Sequence, residues 1–284
     1  MSNMSKIHTK SAYQLILPGI KTFGMCLIKP HHIGYWIRIF KSRYFYPYLY
    51  YRTMPIKKQE SGLYSREYQS TKDYILHQRS KLKIANLNLD IRFEKRLKEF
   101  IDVRFSKIFK NQIGSSVLCL GARDGVEVAA LRKLGHLAIG IDIEFPSANS
   151  FVHYGDFHRV PYPDTVFDYV YMNVFDHVLA PERVLEEISR ILKLKGLFVL
   201  DLQFGRDDEE FEGEESMMGP WEACGWDKVD TVIELIENSG FVLDSEMSSS
   251  VLRPGYTQLV FGVENRNSAG STKVYQSARP ITVD

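Results

Sequence analysis

Apolar residues recur at helical spacing through Phe93, Leu97, Phe100, Ile101, Phe105 and Ile108, with lysine and arginine between them, which predicts an amphipathic helix. Polar Asn111-Gln112 and Gly114-Ser115-Ser116 end that pattern. Val117-Leu118-Cys119-Leu120 follows as a short continuous apolar run, the mark of a strand buried on both faces. Strand and helix patterns then alternate. Residues 129–134 read as a helix, and 138–141, 151–154 and 167–172 as three further strands. Pro181 opens a helix at its favoured first position, with Val184, Leu185, Ile188, Ile191 and Leu192 on one face and Lys193, Lys195 and Gly196 closing it. A fifth strand at 197–202, a helix through Val232, Leu235 and Ile236 closed by Gly240, and strands at 241–244 and 257–263 complete the pattern. Alternation ending in a hairpin predicts an α/β fold, a Rossmann-like, seven-stranded, doubly wound sheet with helices on both faces.

This pattern divides the chain into a domain at 111–264, an N-terminal extension at 1–110 and a flexible C-terminal tail at 265–284. At 284 residues with 44% hydrophobic and 25% charged composition, the chain can bury a full core. Its net charge of +1 conceals an asymmetry: residues 1–110 hold 22 Lys+Arg against 7 Asp+Glu, and the remainder holds 14 against 28. The extension is therefore basic, aromatic-rich and mainly helical in pattern. Within it, residues 35–52 interleave aromatics with cations, a composition that suits packing on the chain's own domain, peripheral membrane contact or single-stranded nucleic acid. Packing is preferred, since aromatic helices with scattered cations usually cover their own domain. The stretch 13–39 is cut by Lys21, Lys29 and His31-His32, too early for a membrane span, and it lacks the small-residue cleavage site of a signal peptide. Cys26, Cys119 and Cys224 are too few and too far apart for a disulfide framework or a metal site, so no metal is expected and a reducing, cytoplasmic compartment is. The pattern specifies no oligomeric state.

Candidate chemistry concentrates in the turn after the first domain strand, Gly121-Ala122-Arg123-Asp124-Gly125-Val126-Glu127. A nucleotide at the C-terminal edge of such a sheet must approach the backbone closely, and Gly121 and Gly125 permit it. Asp142, 21 residues after Gly121 at the end of the second strand, is placed to accept both hydroxyl hydrogens of a ribose. Gly155-Asp156-Phe157 follows the third strand, where a carboxylate can accept from an exocyclic adenine amine and a phenyl ring can cover the base. A nicotinamide dehydrogenase is disfavoured, because Arg123 stands where a pyrophosphate site needs glycine.

Leu120-Gly121 to Gly125, Gly140-Ile141-Asp142, Gly155-Asp156-Phe157, Phe167-Asp168-Tyr169-Val170-Tyr171, and Pro161-Tyr162-Pro163-Asp164 with Glu186-Glu187-Ile188-Ser189-Arg190-Ile191-Leu192-Lys193 to Gly196 together resemble the class I S-adenosylmethionine-dependent methyltransferases, in particular the type 11-like domain. The resemblance covers roughly residues 113–204 and extends more loosely to Val263. It implies S-adenosylmethionine as cofactor, bound at Gly121, Gly125, Asp142 and Asp156, with acceptor groups after the fourth strand. The chain departs from the family pattern at Cys119, where an acidic residue is usual, and at Arg123, the usual middle glycine; Glu127 or a nearby carbonyl is the candidate to take over the ammonium contact. The cofactor set is thus Gly121, Arg123, Gly125, Glu127, Asp142, Asp156, Phe157 and Asn173.

Methyl transfer needs an aligned nucleophile and, for a hydroxyl, a base. Asp176 and His177 follow the fourth strand, with His177 the candidate base and Asp176 its orienting group or a substrate hydroxyl's partner; a histidine opening a helix also serves simply to cap or pack. His158 and His153 are weaker candidates. The acidic stretch 207–215, followed by Met217, Met218, Trp221 and Trp226, suits a substrate loop or a solvated surface, and it opposes entry of nucleic acid from that side. The leading expectation is an enzyme methylating a small-molecule or glycan-type hydroxyl. RNA methylation is the alternative, drawing on the basic extension, and a non-catalytic binding protein that keeps the fold is a third, motivated by Cys119 and Arg123.

Overall fold

A computed structural model of the chain describes residues 50, 51, 53–85, 93–109, 113–144, 151–209, 218, 219 and 221–263. Cys26, the tail at 265–284, and most of the aromatic-cationic stretch and of the acidic stretch lie outside these residues.

The extension contributes strands β1 (Ile56–Lys58) and β2 (Tyr64–Arg66), then helices α1 (Thr71–Ala85) and α2 (Phe93–Glu99), the last running into a π-helical turn at Phe100–Arg104. The domain follows as β3 (Ser116–Leu120), α3 (Val126–Lys133), β4 (Leu137–Asp142), β5 (Val152–Tyr154), β6 (Phe167–Met172), α4 (Pro181–Ile191), β7 (Leu192–Gln203), β8 (Cys224–Gly225), α5 (Val229–Asn238), β9 (Phe241–Leu243), β10 (Ser249–Arg253) and β11 (Tyr256–Val263). The main sheet runs β10-β11-β7-β6-β3-β4-β5, with β9 also pairing β11. Its β3, β4, β5, β6 and β7 are parallel and β11 is antiparallel to β7. The sheet thus has eight strands rather than the seven expected, the addition being β10.

Alternation along each strand builds two cores. Val117, Cys119, Tyr169, Tyr171, Val199 and Val260 face one side with Leu97, Phe100, Ala130 and Leu131 of the helical layer. Leu118, Leu120, Val170, Met172, Phe198, Leu200 and Phe261 face the other with Val184, Ile188, Val232 and Ile236. Burial on both faces explains why these strands read as continuous apolar runs. The helix opened by Pro181 ends at Ile191, and the fifth strand begins at Leu192 instead of 197. Leu192 pairs with Phe167 across an irregularity in register before Leu197 pairs with Tyr169, so Lys193–Gly196 belongs to a bulged strand.

Chain order places β4 and β5 on one side of β3 and β6 and β7 on the other. Strand order therefore reverses between β3 and β6, and a crevice opens at their C-terminal ends. Described residues of the extension, Tyr74, Gln78, Arg96 and Arg104, line that end. β1, β2 and β8 form a second, antiparallel sheet, and buried Arg66 of β2 donates to the carbonyls of Tyr51, Gly219 and Glu222. Asp208, from the start of the acidic stretch, is built into the structure: its Oδ2 accepts from the N–H groups of Gly205 at 2.7 Å and Val229 at 2.9 Å, the latter at the start of α5.

Candidate active site

Three residues of the β3–α3 turn take positive φ: Gly121 at 72°, Arg123 at 38° and Gly125 at 71°. A Cβ on Gly121 would lie 2.4 Å from Val174 Cγ2, so both the backbone angle and the space demand glycine. Arg123 tolerates its strained angle because its N–H donates to Asp142 Oδ2 at 2.9 Å. Asp142 Oδ1 accepts from Glu144 N–H at 2.9 Å. Each carboxylate oxygen therefore keeps lone-pair capacity for one more donor. Burial raises the Asp142 pKa, against the pull of these two N–H groups and the Arg123 charge.

The crevice holds a cavity of about 290 Å³. Of the sequence-predicted residues, Gly121, Arg123, Glu127, Asp142, Phe157, Asn173, Asp176 and His177 line it. Gly125 does not; it acts through its backbone as the first residue before α3. Asp156, expected at the adenine amine, is not on the wall either. Its Oδ1 accepts from the His158 N–H at 2.9 Å and from His158 Nδ1 at 2.7 Å. Burial opposes its charge, but these His158 bonds hold its pKa below the ordinary value. His158 Nε2 accepts from the N–H groups of Leu179 and Ala180, which fixes the proton on Nδ1 and makes His158 a structural link.

Glu127, on the first turn of α3, is only 3% exposed. Its Oε2 has no hydrogen-bond partner among the described residues. Burial is the main force pushing its pKa up to about 7, and Asp124 adds to it; its own backbone N–H, Arg96 and Arg123 pull the other way.

Asp176 and His177 sit on a 3-10 turn after β6. His177 Nδ1 lies 3.1 Å from the Trp221 carbonyl, an oxygen that only accepts, so Nδ1 carries a hydrogen. The other nitrogen, Nε2, lies 3.3 Å from Asp176 Oδ2. A neutral imidazole then has its lone pair on Nε2, and a proton gained there meets a carboxylate. Tyr74 OH donates to the His177 carbonyl at 2.9 Å and fixes the turn from α1.

The sequence reading missed much of the opposite wall. Tyr74 and Gln78 come from α1, Arg96 from α2, Trp226 from the segment after β8, and Arg253 and Tyr256 from the last hairpin. Asp201, in the otherwise apolar run of β7, was legible as a charged residue inside a buried strand. It accepts from Arg104 at 2.7 Å, Tyr171 OH at 2.6 Å and Gln258 Nε2 at 2.7 Å. Among the described residues no group of three or more His, Cys, Asp or Glu is arranged to hold a metal ion, and no helix is long and apolar enough to cross a membrane.

Comparison with known proteins adds a sequence likeness over part of the chain and a likeness of fold. Residues 118–200 match a methyltransferase-domain family model. Among solved structures, Burkholderia thailandensis 1,6-didemethyltoxoflavin-N1-methyltransferase, solved with 1,6-didemethyltoxoflavin and S-adenosylhomocysteine bound, superposes with a TM-score of 0.52 at 15% identity, covering 74% of this chain and 99% of that one. An Aquifex aeolicus S-adenosylmethionine-dependent methyltransferase superposes at 0.45 with 20% identity, covering 64% and 96%. No curated protein matches the chain in sequence. That match lies on β3 to β7, the strands whose C-terminal ends form the crevice described above, so over residues 118–200 the chain is similar to a methyltransferase domain, and it shares its fold with the Burkholderia enzyme.

Proposed function

We propose that the protein transfers the methyl group of S-adenosylmethionine to a hydroxyl of a small-molecule or glycan-type acceptor. The observation that carries this reading is the cavity itself: Gly121, Glu127 and Asp142 lie on its wall together with the Asp176–His177 pair. The cofactor, when bound, supplies an electrophilic sulfonium methyl. The residues fit such a group. Gly121 holds the left-handed turn that puts backbone on the cavity wall, Asp142 has lone pairs left for two ribose hydroxyls, Phe157 offers a ring for the base, and Glu127 brings a buried carboxyl oxygen that has no partner among the described residues. Arg123 and Asn173 complete that wall.

Acceptor chemistry falls to Asp176 and His177. Nε2 of His177 takes the hydroxyl proton as the oxygen attacks, and Asp176 holds the resulting imidazolium in place. Tyr74, Gln78 and Trp226 line the cavity and confine the acceptor, which favours alignment with the methyl group. Free, buried Cys119 and Cys224 suit a reducing, cytoplasmic setting. Contact of the basic extension with a membrane surface is the secondary reading, after packing on the chain's own domain; α1 lines the cavity through Tyr74 and Gln78.

Incubating the full chain with methyl-labelled S-adenosylmethionine and separate pools of hydroxylated small molecules, glycans and RNA tests the acceptor class. Label is expected in the small-molecule or glycan pool. Label confined to RNA would replace this reading with the nucleic-acid one.

A further inference from the structure

A buried carboxyl group with an empty oxygen is costly in either protonation state. Ionised, Glu127 leaves a desolvated charge; neutral, it leaves a hydroxyl donor or a carbonyl acceptor without a partner. Such orphaned groups in a folded core call for an explanation, and a ligand is the direct one when the group lines a cavity. Glu127 does line it, on the first turn of α3 beside the glycine turn.

Among the described residues nothing partners Oε2. Asp124, next to it in charge, is engaged with Arg96. Cys119 on β3 and Tyr171 on β6 also interact electrostatically with Glu127, and neither bonds to it; the Tyr171 hydroxyl donates to Asp201. Arg123 is near enough to influence its charge and yet makes no hydrogen bond to it, and Arg123 Nε is itself without a partner among the described residues.

The cofactor of the proposed reaction has only one cationic group that donates hydrogen bonds. The sulfonium carries charge but no N–H or O–H, the adenine amine is neutral, and the ribose hydroxyls belong with Asp142. The α-ammonium of the amino-acid tail remains, with three donors on a positive charge. We propose, building on the function assigned above, that Glu127 accepts a hydrogen bond from this α-ammonium and must be ionised to do so, so that cofactor uptake expels a proton from its carboxyl group. The balance is simple: protonated Glu127 plus the ammonium ligand gives the carboxylate–ammonium pair and one proton released to solvent.

The direction of the pH effect follows. In the free protein burial holds Glu127 largely neutral below about pH 7. Binding must then pay for deprotonation, so affinity falls as pH drops below 7 and levels off above it. Asp142 is raised by burial too. It serves the ribose, so its titration weakens any adenosine-bearing ligand alike.

Calorimetric titration of the full chain with two probes separates these effects. S-adenosylhomocysteine has the amino-acid tail, and 5′-methylthioadenosine lacks it. S-adenosylhomocysteine is expected to bind roughly tenfold more weakly at pH 6 than at pH 8, beyond any change shown by 5′-methylthioadenosine. In Glu127→Gln that excess pH dependence disappears, S-adenosylhomocysteine binds at least about tenfold more weakly at pH 8, and 5′-methylthioadenosine binds as before, which also reports that the variant is folded. Identical pH profiles for the two probes would overturn the inference while leaving the proposed function standing. So would an unchanged S-adenosylhomocysteine affinity in the variant. Failure of both probes to bind the wild-type chain would overturn the function and this inference together. Should the variant not fold, the wild-type comparison of the two probes decides alone.

Discussion

Replacing His177 with asparagine is expected to slow methyl transfer by about 10²- to 10⁴-fold, the usual contribution of a positioned general base. Asparagine is the informative choice because its amide N–H can keep the link to the Trp221 carbonyl that His177 Nδ1 makes at 3.1 Å. What it removes is the basic lone pair of Nε2 beside Asp176. The backbone should stay in place, since the His177 carbonyl is held by Tyr74 OH. Asp176→Asn should slow the reaction less, and the double variant should be little worse than His177→Asn alone, because the two act as one unit. Single-turnover rates with S-adenosylhomocysteine affinity measured in parallel check this. A wild-type rate in His177→Asn would mean that alignment alone carries the transfer; loss of both rate and affinity would mean that the pair shapes the cofactor pocket.

Asp142→Ala is expected to weaken cofactor binding by about 2–4 kcal/mol, the worth of two charge-assisted hydrogen bonds to ribose hydroxyls. Part of that loss passes through the backbone. The carboxylate also accepts from the N–H groups of Arg123 and Glu144, and Arg123 holds a φ of 38° in the turn that the cofactor must approach. Removing Asp142 therefore takes away two ligand contacts and the brace of the turn at once. Titration of the folded variant with S-adenosylhomocysteine reads the combined effect, and an unchanged affinity would remove Asp142 from the ribose site.

Both expectations rest on residues that local sequence pattern could place. Strands β3, β4, β6 and β7 were legible because burial on both faces makes their central residues mostly apolar, and the glycine turn and Asp142 follow from where those strands end. Short strands were not. Ile56–Lys58 is exposed at every position, so its pairing with β2 leaves no hydrophobic signal. Helix α1 was equally hidden, since its sequence shows little amphipathic bias although Tyr74 and Gln78 reach the cavity. Asp156 illustrates a different limit: it follows the third strand, yet its Oδ1 is engaged by a histidine two residues away and the residue is not on the cavity wall. Arg253 and Tyr256 reach the site only because β11 returns antiparallel to β7, a long-range pairing that no local pattern encodes. Glu127 could be named from its place in the turn; its burial and empty oxygen emerge only from packing.

The central claim is that this cavity binds S-adenosylmethionine, and calorimetric titration of the full chain with S-adenosylmethionine near pH 8 tests it most directly. The account predicts saturable binding at one site per chain, competed by S-adenosylhomocysteine and lost or strongly weakened in Asp142→Ala. Absence of saturable heat for either compound up to about 1 mM, where affinity would be weaker than ~4 kcal/mol, would contradict it and leave a methyltransferase fold that does not use the cofactor.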